Sequence, residues 1–320
     1  MCCTKKFDFT LEPVNFFFMN EEMIKEIRGL KKEKNAVLLV HNYQRPEIQD
    51  IADILGDSLD LSRKALETDK DVIVFCGVRF MAETAKILSP YKKVLLPVYE
   101  AGCPMADMVT PDELIEFKKK NPEYKIVTYV NTTAEVKAES DICITSANAV
   151  KVISDYPHNK LLLIPDRNLG NYIKSKVKDK EIMLWEGYCP VHIEINLNEL
   201  RMLKDEYPDA VFLAHPECEE VILNKADHIM STNQMIKYVK ESDEKVFLIG
   251  TEQGIIYRMK KENPKKEIYP AGKFINCPNM KKTDLSDVLN ALKYDQYEIT
   301  LPDNIITRAR TALDEMLKYS

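Results

Sequence analysis

The chain has 320 residues, 45% hydrophobic and 30% charged, with a formal net charge of −6. That composition suits a globular chain of two or three units with a sizeable core, and its acidity argues against nucleic acid and for a small-molecule partner. No apolar run approaches the ~20 residues that cross a bilayer, and Phe16-Phe17-Phe18 in a polar setting is no signal-peptide core, so a cytoplasmic protein without membrane association is expected.

The first predicted helix, over 21–34, leads into an apolar strand, Ala36-Val37-Leu38-Leu39-Val40, that ends at His41-Asn42-Tyr43. A second helix closes at Ala52-Asp53, a short strand follows over 72–75 and another over 94–96, and the unit ends at Gly102-Cys103-Pro104. The order then recurs: a helix over 112–120, a strand over 125–128 before Tyr129-Val130-Asn131, a helix closing at Ser140-Asp141, strands over 142–145 and 161–164, and Tyr188-Cys189-Pro190. A third round comprises a helix over 198–206, a strand over 210–214 before His215-Pro216-Glu217, a helix closing at Ala226-Asp227, strands over 228–230 and 246–249, and Asn276-Cys277-Pro278.

Short apolar strands alternating with helices signal βαβ units and buried parallel sheets. The predicted fold is therefore α/β: three homologous three-layer αβα sandwich units with short parallel sheets, arranged around a pseudo-threefold axis with a central active site. The boundaries expected are 20–108, 109–194 and 195–281, with 1–19 as an N-terminal extension and 282–320 as C-terminal helices packing on the core. No Gly/Ser-rich tract separates the units and only 9 glycines occur, which predicts rigid packing.

Cys103, Cys189 and Cys277 each precede proline and lie 86 and 88 residues apart. A residue before proline is held in extended conformation, so each sulfur sits on a stiff corner. Three such thiolates leave one coordination position of a soft metal centre open, whereas a structural zinc takes four protein ligands. Cys76 and Cys143 lie in apolar strands and read as core. Cys218, beside Glu217, is either a redox-sensitive bystander or an ordinary packed or exposed thiol, and Cys2 and Cys3 fall in a terminal stretch.

In parallel sheets ligands bind beyond the carboxyl ends of the strands, which is where His41, Tyr129 and His215 fall in the three units, followed by Tyr43 and Asn131. His192 follows the second Cys-Pro corner, while His158 and His228 read as structural. Glu217 is taken as the one carboxylate at the end of an apolar strand near this ring. Two uses are open to it: proton exchange beside histidines, or capping of a helix starting near Glu219. Ser146 and the pair Ser231-Thr232 precede helices at matching places, where they either cap the helix or hold an anion. No Walker loop and no Gly-x-Gly-x-x-Gly run is present, so a nucleotide cofactor lacks support.

These segments, with Pro46-Glu47-Ile48-Gln49, Gly56-Asp57-Ser58-Leu59, Gly102-Cys103-Pro104-Met105-Ala106-Asp107-Met108, His215-Pro216-Glu217-Cys218 and Cys277-Pro278-Asn279-Met280-Lys281, resemble the quinolinate synthase family of iron–sulfur enzymes in de novo NAD biosynthesis. The likeness spans about 35–292. It implies a metal-binding transferase carrying a [4Fe–4S] cluster on Cys103, Cys189 and Cys277, with the remaining iron open as a Lewis acid. It also implies condensation of iminoaspartate with dihydroxyacetone phosphate to quinolinate, phosphate and two waters, in pyridine nucleotide biosynthesis, with coupling to L-aspartate oxidase or aspartate dehydrogenase. By motif, Glu217 is then the main acid/base, with His41, Tyr43 and His192 positioning intermediates. Ser146, Ser231 and Thr232 hold phosphate or carboxylate oxygens, and Ser58, Tyr129, Asn131 and His215 complete the pocket. The competing expectations are an iron–sulfur hydro-lyase acting on a small hydroxy acid and a non-catalytic metal-binding protein.

Overall fold

Segments such as Val37-Leu38-Leu39-Val40 are apolar on both faces of a strand, so they are stable only inside a sheet covered on both sides. The computed structural model describes residues 13–319, and the side chains of 20–319, which leaves Cys2 and Cys3 outside the described residues. Its strands form three four-stranded sheets in which every strand pairing is parallel. The first holds β1 (Ala36–His41), β2 (Ile54–Gly56), β3 (Val72–Cys76) and β4 (Lys93–Leu95) in the order β2-β1-β3-β4. The second holds β5 (Lys125–Tyr129), β6 (Ile142–Ile144), β7 (Lys160–Ile164) and β8 (Glu181–Leu184), and the third β9 (Val211–Ala214), β10 (His228–Ile229), β11 (Val246–Gly250) and β12 (Glu267–Pro270), each in the corresponding order. Helices lie between the strands throughout, and three repeated α/β sandwich units result.

Each unit thus has four strands where three were expected. In the first unit the second strand is Ile54–Gly56, and the 72–75 segment belongs to the third strand, the counterpart of β7 and β11. In the other two units a further strand, β8 or β12, follows the one taken as last, so every Cys-Pro corner leaves a fourth strand. The overlooked strands all lie at sheet edges and run for only three or four residues. An edge strand is paired on one side, needs little apolar sequence, and leaves a weak pattern.

The aspartates expected to close the second helices lie a few residues beyond them, because Pro46–Asp50, Ala134–Ala138 and Glu220–Leu223 end earlier. Their purpose is the same in all three units. Asp53, Asp141 and Asp227 each accept the N–H of Leu38, Ile126 and Phe212 respectively through Oδ2 at 2.8 Å, tying the incoming turn to the central strand.

The N-terminal helix begins at Pro13, earlier than the 21–34 expected, and runs to Glu33. Its Ile27 packs with Leu285, Val288, Ala291 and Leu292 of the helix Leu285–Tyr294 against one face of the first sheet. The helix Asp303–Tyr319 buries Ala309, Ala312, Leu313 and Met316 in the core shared by the first two units. No helix among the described residues is long and apolar enough to cross a membrane.

Candidate functional site

Strand register sets the site. His41 pairs with Gly56 and Tyr129 with Ile144, and Ala214 pairs with Ile229, so that His41, Tyr129 and His215 occupy one equivalent position just at the strand end. The same register makes Ser58, Ser146 and Thr232 equivalent, whereas Ser231 corresponds to Asp57 and Thr145. These ends line one cavity of about 160 Å³, far larger than a water requires. His41, Tyr43, Ser58, Tyr129, Asn131, Ser146, His192, His215, Glu217 and Thr232 all line it, together with Cys103, Cys189 and Cys277.

Ser231 does not line that cavity, which departs from the pairing of Ser146 with both Ser231 and Thr232. Ser231 is the N-cap of the helix Thr232–Glu241, with its N–H donated to Gln234 Oε1 at 2.8 Å, and the adjacent Thr232 hydroxyl takes the inward place. Ser146, unlike Ser231, is not a cap. The helix Ala149–Asp155 starts after Asn148, and Ser146 Oγ instead lies 3.1 Å from His215 Nε2.

The three corners are built alike. Ala101, Gly187 and Ile275, two residues before each cysteine, accept the N–H of Arg79, Arg167 and Gln253 at 2.7, 2.8 and 2.8 Å, which anchors the corner to the third strand's exit. Burial pushes the Cys103 thiol up to about 12 and raises those of Cys189 and Cys277, while the N–H groups of Ala106, His192 and Met280, three residues on, draw them back down. A buried sulfur held by backbone donors is poised to be a thiolate once a cation is present. Cys76 and Cys143 are fully buried in β3 and β6, and Cys218 is buried too, its Sγ 3.3 Å from Gly250 O. His158 lies away from the cavity, in the turn before β7, and His228 starts β10.

Glu217 lies buried at the centre and does not cap a helix, since Glu219 holds the N-cap position of Glu220–Leu223. Its Oε1 accepts the Tyr129 hydroxyl at 2.5 Å, and its Oε2 lies 2.9 Å from His192 Nδ1. Burial alone would push the carboxyl up, but His192, 2.9 Å away, and the Tyr129 hydrogen bond draw it down, and Glu217 lies below the usual carboxylate range. It is the ionised group of the site.

The two strand-end histidines are neutral. His41 Nδ1 accepts the Tyr43 N–H at 3.2 Å and His215 Nδ1 accepts the Glu217 N–H at 3.4 Å. A backbone amide can only donate, so each ring carries its proton on Nε2. Burial agrees, lowering His41 to about 3 with help from Lys281, and His215 to about 3 against the pull of Glu217. Burial likewise raises Tyr43 and Tyr129, with Glu217 adding to both, so both phenols stay protonated donors.

Glu217 is not the one strand-end carboxylate. Asp166 and Glu252 stand at equivalent places just past β7 and β11; Asp166 Oδ1 accepts the N–H groups of Asn168 and Leu169 at 2.8 Å and caps the helix Arg167–Lys176, and Glu252 Oε1 accepts the N–H of Cys277 at 3.1 Å. Burial and then the Glu217 charge raise Asp166, whereas the raising of Glu252 by burial is opposed by Lys281, whose Nζ lies 2.9 Å from Oε1. Thr251, beside Glu252, is fully buried and touches both Tyr43 and His192. Their signal in the sequence is a polar residue just after the apolar strands β7 and β11, the same pattern that marks His41, Tyr129 and His215 at the end of the first strand of each unit.

Cys189, His192 and Glu217 could hold a metal, their ligand atoms all lying within 4.8 Å of one another. Asn131 Oδ1 is buried without a partner at the cavity wall, an acceptor waiting for a donor.

Comparison with known proteins gives a consistent result. The family model described as NadA, quinolinate synthetase A protein, matches residues 25–318. A quinolinate synthase of Alkaliphilus metalliredigens is 52% identical over 301 residues, 94% of this chain and 99% of that relative. Those of Caldicellulosiruptor saccharolyticus and Aquifex aeolicus are 49% and 50% identical over 300 and 305 residues, each covering 94% of this chain and, respectively, 99% and 95% of the relative.

Proposed function

The chain belongs to the quinolinate synthetase A family, and from that premise we propose that it makes quinolinate by condensing iminoaspartate with dihydroxyacetone phosphate, releasing phosphate and two waters in a transferase reaction. The observation that carries this reading is the convergence of three Cys-Pro corners and the ionised Glu217 on one cavity. Supply of the unstable imine falls to an enzyme that oxidises aspartate, an L-aspartate oxidase or aspartate dehydrogenase, and the setting we propose is the cytoplasm. The divisions 20–108, 109–194 and 195–281 are the units we assign, with 282–320 as packing helices.

Cys103, Cys189 and Cys277 are the residues that would hold a [4Fe–4S] cluster. A single tetrahedral ion with metal–sulfur bonds of about 2.3 Å needs its sulfurs about 3.8 Å apart. Among the described residues, the group whose ligand atoms come within 4.8 Å of one another contains only Cys189 of the three. Sulfurs that share a cavity yet stand wider than one ion allows fit a larger inorganic group. When bound with one position open, such a cluster supplies Lewis-acid polarisation of a substrate oxygen and assists loss of a hydroxyl.

The chain's own residues supply the rest. Glu217, the buried base, takes protons from substrate carbon or nitrogen and returns them to leaving hydroxyls, flanked by donors that keep it ionised between turnovers. His41, through a free Nε2–H, orients substrate oxygens; so does Tyr43 through its phenol. Ser58, Ser146 and Thr232, at equivalent places in the three units, offer hydroxyls to phosphate or carboxylate oxygens, and Asn131 Oδ1 suits the substrate N–H.

The test is anaerobic purification with iron and sulfide analysis, followed by an assay for quinolinate from the two substrates. Equal iron and sulfide with quinolinate formed is the expected result. A loaded protein that forms none refutes the proposal.

A further inference from the structure

Asn131 stands in the turn between β5 and the five-residue helix Ala134–Ala138, and its Oδ1 has no partner among the described residues. A helix that short makes too few internal bonds to hold its own entry turn. Two buried charged side chains outside the cavity lining hold it instead. Lys137, fully buried, donates from Nζ to Thr132 O, the carbonyl next to Asn131, and its ammonium lies 5.5 Å from the centre of the Phe80 ring. Glu83, on the helix Arg79–Leu88 of the first unit, accepts the N–H of Ala134 through Oε2 at 2.9 Å.

The repeat carries the same device in its other copies. Tyr43, Asn131 and Glu217 occupy one equivalent place, two residues past His41, Tyr129 and His215, and in each unit a short helix starts three residues later. The fourth residue of that helix is Gln49, Lys137 or Leu223. Gln49 Nε2 donates to Gln44 O at 2.7 Å, which is the first unit's version of the bond from Lys137 to Thr132 O. Leu223 has no donor, and there Asn168 of the second unit donates from Nδ2 to Glu217 O at 3.1 Å. Lys281 of the third unit likewise donates to Tyr43 O of the first. Each turn is thus fastened by a side chain from another unit, third to first, first to second and second to third. Burying an ammonium is unfavourable where an apolar chain of equal length would pack freely, so packing alone does not account for a lysine at position 137.

We infer that Lys137 and Glu83 are positioning residues that fix the turn carrying Asn131 and so aim its carboxamide oxygen at the N–H of the imine substrate. The inference rests on the function proposed above and adds two residues that lie behind the cavity wall. Asn131 Oδ1 accepts the N–H in the ground state and the transition state alike. A loosened turn therefore raises KM for the imine and leaves kcat and the phosphate-bearing substrate little changed.

The test uses the iron-loaded enzyme with the imine generated in the assay. Lys137→Met keeps the length and removes the donor; Lys137→Gln installs the first unit's residue, whose amide makes the equivalent bond there. The expected result for Lys137→Met is a 3- to 10-fold rise in KM for iminoaspartate, the size of one neutral hydrogen bond, with kcat and KM for dihydroxyacetone phosphate within twofold and iron content unchanged. Lys137→Gln should keep every value within twofold of wild type. Glu83→Met, which leaves the Ala134 N–H unmet, should raise the same KM. In an Asn131→Ala background Lys137→Met should add nothing, because it works through Asn131. If Lys137→Met does not fold, Lys137→Leu, the third unit's residue, carries the same expectation. A wild-type KM in either methionine variant, equal impairment by Lys137→Met and Lys137→Gln, or effects of Asn131→Ala and Lys137→Met that multiply, overturns the inference and leaves the proposed function standing. A wild-type enzyme that forms no quinolinate removes both.

Discussion

Replacing Glu217 by glutamine tests the centre of the site with little change of shape. The carboxylate is buried, accepts the Tyr129 hydroxyl at 2.5 Å, and lies 2.9 Å from His192 Nδ1. Bonds to a charged acceptor contribute about 1.5–3 kcal/mol and neutral ones about 0.5–1.5, so two weakened contacts cost about 2–3 kcal/mol, partly offset because a buried charge is no longer desolvated. In a chain of this length that loss lowers the melting midpoint by several degrees and leaves the protein folded at 25 °C. The effect on rate is larger: loss of a general base removes 10²- to 10⁴-fold, about 3–5 kcal/mol of barrier. Glu217→Gln should therefore retain wild-type iron and sulfide and melt a little lower, but form quinolinate at least a hundredfold more slowly in single-turnover assays. A rate within threefold of wild type, at equal iron content, refutes the assignment of Glu217 as the base.

Cys103→Ser, Cys189→Ser and Cys277→Ser should each lose bound iron on anaerobic purification, whereas Cys143→Ser, in the core of the second unit, should keep it; equal iron in all four counts against the ligand set. Acid should destabilise the fold through His41 and His215, both held near 3 against an ordinary 6.5. Below 6.5 the unfolded chain binds protons that the folded chain refuses, so stability falls with pH, by about 1.4 kcal/mol per histidine at pH 5.5. Urea unfolding at pH 7.5 and 5.5 measures the total of about 3 kcal/mol, His215→Gln should remove about half of it, and a flat profile contradicts the buried neutral rings. Asp227→Ala should cost about 1–3 kcal/mol in the same experiment by leaving the Phe212 N–H without its 2.8 Å side-chain acceptor. A cost below about 0.5 kcal/mol means the three aspartate clamps do not hold the turns.

Much of the architecture was legible because long central strands and amphipathic helices write their periods into the chain. The repeat was visible in the Cys-Pro corners and in Asp53, Asp141 and Asp227, since each does the same local task in its unit. The edge strands β2, β8 and β12 were not, for a three- or four-residue strand paired on one side carries no usable pattern. Misplacing β2 also hid the equivalence of Ser58, Ser146 and Thr232, and so paired Ser231 with the wrong partners. A one-residue shift in register exchanges the side chain that faces the cavity for the one that caps the helix.

Residue types and spacing by themselves determined the α/β repeat, the three matched thiols and the ring of His41, Tyr129, His215 and Glu217, because strand ends and proline-locked corners are local properties of the chain. Only the tertiary structure decided which ring nitrogens hold protons, that Glu217 is ionised, and that Thr251, Asp166 and Glu252 belong to the site. Those outcomes depend on burial and on hydrogen bonds between residues far apart in sequence, such as Tyr43 with Thr251 and Tyr129 with Glu217, and such contacts exist only once the three sheets bring their ends together.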